Sequence, residues 1–283
     1  MLVQTVCIWE ATARKLGNVH PKADFADLAY TDFLLSAAAI APCFQQPRGI
    51  GQTVLEAVRC TQRWIGRNTN LGIILLLAPF NWSSSPEGLR SQLRKHLASM
   101  DTTHEARWVY QAIREAKPGG LGTVPNQDVH AEPSVGLIEA MRLAADRDLV
   151  ARQYANEFAD VFDFGVPTLL TAFERFGCIE AAVIDTQLRW LAQYPDSLIQ
   201  RKNGPSMAIE VQQQARRVLS LGGIQTPEGR AEALQLDRHL RSNGHRLNPG
   251  TTADLITACL FVALRENTLT VTAPFRWSAT DWL

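Results

Sequence analysis

Apolar residues recur along this chain at the three-to-four-residue spacing of amphipathic helices. Val3, Val6, Cys7 and Ala11 form one stripe within residues 2–16, and the run DFLLSAAAIA predicts a second helix, stopped by Pro42. Within 52–66, Val54, Leu55, Val58, Trp64 and Ile65 spread over a broad apolar face. Ser85-Pro86-Glu87 and Thr226-Pro227-Glu228 each place a capping hydroxyl, a proline at the first helical position and an acidic first turn in that order. That order is a helix-start signature. Further helices are predicted from Asp101-Thr102 to Lys117-Pro118, over 134–162 with a break near Asp146-Arg147-Asp148, and over 167–176, 178–193, 205–221 and 251–266.

Strand signals are scarce. Only Thr268-Leu269-Thr270-Val271-Thr272 alternates with β-branched residues, which predicts a hairpin arm or an extended tail near the C-terminus. No strand–helix alternation supports a doubly wound sheet. The expected fold is all-α: one domain of about ten helices, spanning 1–283, with a short extended C-terminal segment. The stretch 116–133, with Gly119, Gly120, Gly122, Pro125 and Pro133, is the one long loop. Loops of that length in compact folds are commonly functional or mobile.

Composition narrows the function classes. Hydrophobic residues make up 46% and charged residues 20%, which excludes a disordered chain. Lys+Arg and Asp+Glu both number 28, so the basic excess of a general nucleic-acid binder is absent. The longest apolar runs, 71–80 and 255–264, fall well short of the roughly 20 residues that span a bilayer. The N-terminus lacks a basic leader region, and Glu10 interrupts its apolar run. Five dispersed cysteines contain no C-x-x-C pair, so free thiols and a cytoplasmic location are expected. The expected partners are small molecules, with neither nucleic acid nor membrane; the oligomeric state is open, a homodimer being one candidate.

Polar residues gather at predicted helix junctions. The first cluster holds Glu10, Arg14, Lys15, Gly17, Asn18, His20, Lys22 and Asp24. A lysine can meet a phosphate, a glycine admits close backbone approach, and carboxylates can hold Mg²⁺ or a ribose hydroxyl. Ordinary helix termination explains the same residues. The second cluster, Asn68-Thr69-Asn70-Leu71-Gly72, precedes an apolar helix and reads either as a cap or as an anion site. The third, Arg142, Asp146, Arg147, Asp148, Arg152, Gln153 and Tyr154, contains four-apart pairs typical of a helix surface. The fourth is the basic turn Arg201-Lys202-Asn203-Gly204. The fifth, Asn248-Pro249-Gly250-Thr251-Thr252-Ala253-Asp254, sets hydroxyls and a carboxylate at the start of an apolar helix. No P-loop, H-E-x-x-H or G-x-S-x-G motif is present.

Taken in order, Glu10…Lys15-x-Gly17-Asn18-x-His20, Asn68-Thr69 with Gly72, and the NPGTTAD segment ending at Asp254 resemble the triphosphoribosyl-dephospho-CoA synthase family over nearly the whole chain. The chain departs from that pattern at two motifs. Arg14-Lys15-Leu16-Gly17 stands where the family is similar to proline-lysine-proline-glycine, and Asn70-Leu71 where it is similar to histidine-lysine. The resemblance implies a transferase that joins ribose C1′ of ATP to the 2′-hydroxyl of dephospho-CoA and releases adenine. It implies ATP as substrate and Mg²⁺ as cofactor. Under it, Asp254, Asp24 and Asp146 are the candidate catalytic carboxylates, and Asp254 with Glu10 the candidate metal ligands. Lys15, Gly17, Asn18, His20, Asn68, Thr69, Asn70, Arg147, Arg152, Arg201, Lys202, Asn248, Thr251 and Thr252 are the candidate nucleotide-binding residues. A related transferase acting on a pterin-linked acceptor of C1 metabolism, and a non-catalytic nucleotide-binding protein, are the alternatives.

Overall fold

The computed structural model describes residues 1–283 except 47, 83–87, 280, 281 and 283, and except the side chain of Asn243. Fourteen α-helices lie among the described residues: α1 Leu2–Thr12, α2 Tyr30–Ile40, α3 Ile50–Ile65, α4 Leu71–Leu77, α5 Leu89–Ser99, α6 Thr103–Ala116, α7 Leu137–Ala144, α8 Leu149–Ala155, α9 Val166–Phe176, α10 Ile179–Gln193, α11 Ser197–Asn203, α12 Pro205–Ser220, α13 Pro227–His245 and α14 Gly250–Arg265. Short 3₁₀ turns and one π-helical segment, Asp160–Gly165, join them.

Two helices, α10 and α14, carry the packing because they are buried nearly all round. In α14 every residue from Leu255 to Leu264 is buried, and it packs against α1, α4, α9 and α10. α10 divides the core. Ile179, Ala182, Val183 and Trp190 face a large cluster built from α1–α9 and α14. Ala181, Ile184, Leu188 and Leu191 face a smaller cluster with α12 and α13. Helices with one polar face, such as α3 and α6, form the outer layer, as amphipathic patterning requires.

Four sequence expectations change. Helices outnumber the expected ten, in part because α11 takes in the basic turn expected at 201–204; the 134–162 stretch divides where the break was expected. Asp148 divides that stretch by accepting bonds from the Val150 and Ala151 N–H groups as the cap of α8. α1 ends at Thr12 rather than 16, where Ala13 turns extended and sends Lys15 and Leu16 inward. Thr268–Thr272 forms no strand: Thr268 and Leu269 donate their N–H groups to the Ala263 carbonyl and close α14. Alternation alone makes no strand without a neighbour to pair with. The start signal at Ser85-Pro86-Glu87 lies outside the described residues.

Beyond the expected segment, the chain after Thr272 finds a partner. The carbonyls of Pro274 and Phe275 accept from the N–H groups of Ile179 and Glu180, both at 2.9 Å, so the tail caps α10. Trp282 is buried, and its indole donates to the Arg14 carbonyl at 3.0 Å.

Candidate active site

A cavity of about 920 Å³ opens where the ends of α1, α3, α4, α7, α11, α13 and α14 meet. That is near the upper end of the ~300–1,000 Å³ usual for ligand sites. Among the expected site residues, Glu10, Asn18, Asn68, Thr69, Asn70, Arg147, Arg201, Lys202, Asn248, Thr251 and Asp254 line it. All five clusters, drawn from distant parts of the sequence, thus place nucleotide-binding candidates on one surface. From the third cluster Arg147 and Asp148 reach it, while Arg142, Asp146, Arg152, Gln153 and Tyr154 do not.

Asp254 lies at the start of the second turn of α14, and its carboxylate faces Gly72 of α4. A Cβ at position 72 would collide with that carboxylate, so the glycine makes the close approach possible. Asp254 is half-buried and accepts no hydrogen bond from any described residue. Its pKa is raised well above the usual carboxylate value, first by burial and then by the charges of Glu10 and Asp196; Arg201 acts in the opposite sense.

Asp196, which the sequence reading passed over, sets the height of α14 at this point. It caps α11 through the N–H groups of Leu198 and Ile199 at 2.9 and 3.1 Å. Its other oxygen accepts from Thr252 N–H and Thr252 Oγ1 at 2.7 and 2.8 Å, tying two helix starts together. Thr252 is therefore turned away from the cavity and fastens α14, contrary to its expected place among the nucleotide contacts. Thr251, one residue earlier, lines the cavity and receives a bond from Ser197 Oγ at 3.1 Å.

Lys15 also departs from expectation. It is fully buried, and its ammonium sits 2.9 Å from Glu10 Oε1 and also donates to the Glu10 carbonyl. Lys15 does not line the cavity; Glu10 does. Gly17, at φ +67, packs under Leu240 and Pro249 and donates its N–H to Asp237. His20 is buried outside the cavity lining, and its Nε2 has no partner among the described residues. Burial and the nearby Arg241, Lys15, Arg14 and Lys22 lower its pKa to about 3, so the ring is neutral. Asp24 is exposed and accepts from Tyr30 N–H ahead of α2, and Asp146 is exposed between α7 and α8; neither reaches the cavity. Arg152 pairs with Asp160 at 2.8 Å and lies over the Tyr194 ring, away from the cavity. Its four-residue spacing from Asp148 did not indicate which side of α8 it occupies.

Other cations surround the opening. Arg67, Lys117 and Arg246 line it with Arg147, Arg201 and Lys202, and the exposed members stand at its mouth. Arg201 pairs with Asp148, and Lys202 donates to Asn248 Oδ1 at 3.1 Å. Burial and Arg201 lower the pKa of Lys202. The loop at 116–133 supplies a wall: residues 116–122, 124 and 127–129 line the cavity, and Gly119 rests on the Lys202 side chain. Its shape is held by Asp128, which accepts from Val124 and His130 N–H at 2.7 and 2.8 Å, and by the bond from the Tyr110 hydroxyl to the Gln127 carbonyl at 2.8 Å. Among the described residues, no group of three His, Cys, Asp or Glu side chains could hold a metal ion. The described cysteines are all free. No helix is long and apolar enough to cross a membrane, among the described residues.

A helical fold whose cavity sets carboxylates and amides beneath a ring of cations is an enzyme scaffold suited to polyanionic small molecules. The family model described as ATP:dephospho-CoA triphosphoribosyl transferase matches residues 1–272, and the chain belongs to that family of transferases. A Pseudomonas putida protein described as a probable 2-(5''-triphosphoribosyl)-3'-dephosphocoenzyme-A synthase is 35% identical over 252 residues, covering 88% of this chain and 85% of that protein. A protein of the same description from Pseudomonas syringae pv. syringae is 29% identical over 148 residues, 52% of this chain and 49% of its own. A crystal structure assigned as a triphosphoribosyl-dephospho-CoA synthase from Archaeoglobus fulgidus superposes with a TM-score of 0.65 at 28% identity, covering 82% of this chain and 98% of that one. The family description and the relatives' names specify dephospho-CoA, so the pterin-linked acceptor and the non-catalytic alternative are set aside.

Proposed function

We propose that this cavity is where ATP and dephospho-CoA are joined, with Asp254 at the reacting centre. In that reaction the bond between ribose C1′ and the adenine nitrogen breaks. A bond from C1′ to the acceptor 2′-oxygen forms, the acceptor hydroxyl gives up its proton, and adenine leaves with one. The observation that carries the reading is the Asp254 carboxylate: it opens into the cavity, has no hydrogen-bond or ion-pair partner among the described residues, and shares the cavity with a group of cations. A carboxylate there can stabilise the positive charge that builds on the ribosyl carbon or handle a proton in transit. Arg147, Arg201 and Lys202, joined by Arg67 and Arg246, face the phosphates of the two substrates. Asn18, Asn68, Thr69, Asn70, Asn248 and Thr251 offer amide and hydroxyl contacts to the sugars and phosphates.

Mg²⁺ fits the residues present. Glu10 and Asp254 bring two carboxylates close enough for Glu10 to raise the Asp254 pKa, and Mg²⁺ is ordinarily held by one or two carboxylates plus substrate phosphates. When bound, the ion would neutralise phosphate charge; Asp254 and Glu10 would hold it.

The test is adenine release from ATP with dephospho-CoA as acceptor. Asp254→Asn should lower kcat at least about a hundredfold, in the range of lost acid/base or electrostatic assistance. The ligand-free variant should also melt higher than the parent, and the gap should widen with pH. The folded-state pKa of Asp254 lies above its unfolded value, so the native chain holds an extra proton between the two. Stability therefore falls as pH rises through that window, and Asn escapes the loss. Wild-type turnover by Asp254→Asn, or a melting gap that narrows with pH, would remove Asp254 from this role.

A further inference from the structure

The cavity walls differ in chemistry by element. Glu10, Asp254 and most of the amides come from α1, the α3–α4 junction and α14; the cations come from α11, the α7–α8 connection and the ends of α13 and α6, with Arg67 from the α3–α4 junction. The remaining wall, from α6, α7 and the loop between them, carries an aliphatic strip of Val109, Ile113, Leu121, Val124, Leu137 and Met141, bordered by Tyr110, Glu115, Gln127 and Asp128. We propose that this aliphatic wall binds the pantetheine arm of the acceptor and so selects a CoA-type substrate over a bare nucleotide. The inference rests on the transferase reading of the cavity.

Three observations carry it. The first is length: Val109, Ile113 and Ala116 repeat along one face of α6, and at the helical rise per residue that face runs for roughly 10 Å. A linear chain fills such a trough; a compact purine does not. The second is the kind of surface. A nucleobase gains most from stacking on a ring; the cavity's Phe25, Phe33 and His245 stand on other elements, and Tyr110, the ring on α6, is buried with its hydroxyl tied to the Gln127 carbonyl. The aliphatic wall instead offers branched side chains and one adaptable methionine, suited to methyls and methylenes. Ile113, Leu121 and Val124 are only half-buried, so apolar surface there is open to be covered. The third is direction. On α7 the wall-lining Leu137, Met141 and Ala144 fall on one stripe that leads toward Arg147, and at the loop's other end Gly119 rests on Lys202. The aliphatic wall therefore ends at cations on two sides, matching an apolar chain that hangs from a diphosphate. ATP has no such chain, so the wall's chemistry belongs to the acceptor.

The experiment compares two acceptors, dephospho-CoA and the β-methyl ester of ADP. The ester keeps the nucleotide and its diester charge but lacks the chain. Both are measured by adenine release and by direct titration, on the wild type and on Val124→Asp and Met141→Asp. Wild type should favour dephospho-CoA by at least about tenfold in kcat/KM, a ratio that burial of only two methylenes already supplies. Either variant should cut that preference at least about tenfold while binding the methyl ester as before. Val124 is half-exposed in a loop, so its variant keeps the test alive if Met141→Asp does not fold. Equal use of the two acceptors by wild type, or equal loss for both in the variants, overturns the proposal. If neither acceptor releases adenine, the transferase reading fails and the titrations decide the subsite by themselves. A dephospho-CoA preference abolished by Val124→Asp upholds it; no preference overturns it.

Discussion

Lys15 reaches back five residues to Glu10 instead of forward into the cavity, and its ammonium is fully buried. An ion pair removed from water is costly to break from one side, because the remaining charge is left without a partner. Lys15→Met should therefore cost about 3–5 kcal/mol in denaturant melts, and Lys15→Met with Glu10→Gln less than that. The same pair of substitutions separates two roles. If Lys15 works through Glu10, the double variant turns over as fast as Glu10→Gln alone, and KM for ATP moves little in Lys15→Met. A lysine that held a phosphate would instead raise that KM, and its loss would add to that of Glu10→Gln.

Between elements, the decisive contact is the crossing of α4 over the start of α14. Propensity by itself favours alanine over glycine in a helix by about 1 kcal/mol. Gly72→Ala at this crossing should do the opposite, because the new methyl would meet the Asp254 carboxylate. The expected result is a lower melting temperature together with reduced adenine release. Adding Asp254→Ala should restore the melting temperature but not the activity. A Gly72→Ala protein more stable than the parent would show that the crossing has slack. The tie from Asp196 to Thr252 serves the same crossing from the other side, since it sets how far α14 begins from α11.

Across the whole molecule, the C-terminal tail joins segments far apart in the chain. Arg14 donates to Glu180 at 2.7 Å, Glu180 accepts from Trp277 N–H at 2.9 Å, and Arg14 also donates to the Trp282 carbonyl at 2.6 Å. Trp282 belongs to the smaller core cluster and lies away from the cavity lining. Trp282→Ala should cost about 3–5 kcal/mol, as large aromatic truncations do. Below its melting temperature the variant should keep the parent's KM for ATP. A stability loss accompanied by a changed KM would place the tail in communication with the site.

What the sequence determined by itself was local. Helical periodicity and capping residues marked most of the fourteen helices, since a helix announces its apolar face every three or four residues and its ends by their caps. Motif order carried the family resemblance that the match over residues 1–272 supports. The partners of the polar residues were decided only in three dimensions. Arg147 faces the cavity while Asp146, beside it, faces solvent; Thr251 lines the cavity while Thr252 binds Asp196. Successive side chains point apart, by about 100° in a helix such as α14 and by the turn geometry between α7 and α8, so a cluster of polar residues cannot all reach one ligand. The ions and hydrogen bonds that sort them come from remote positions: Glu180 for Arg14, Asp196 for Thr252, Arg201 for Asp148. Periodicity records which face of a helix avoids water. It holds no record of what the opposite face will meet once the other helices have packed.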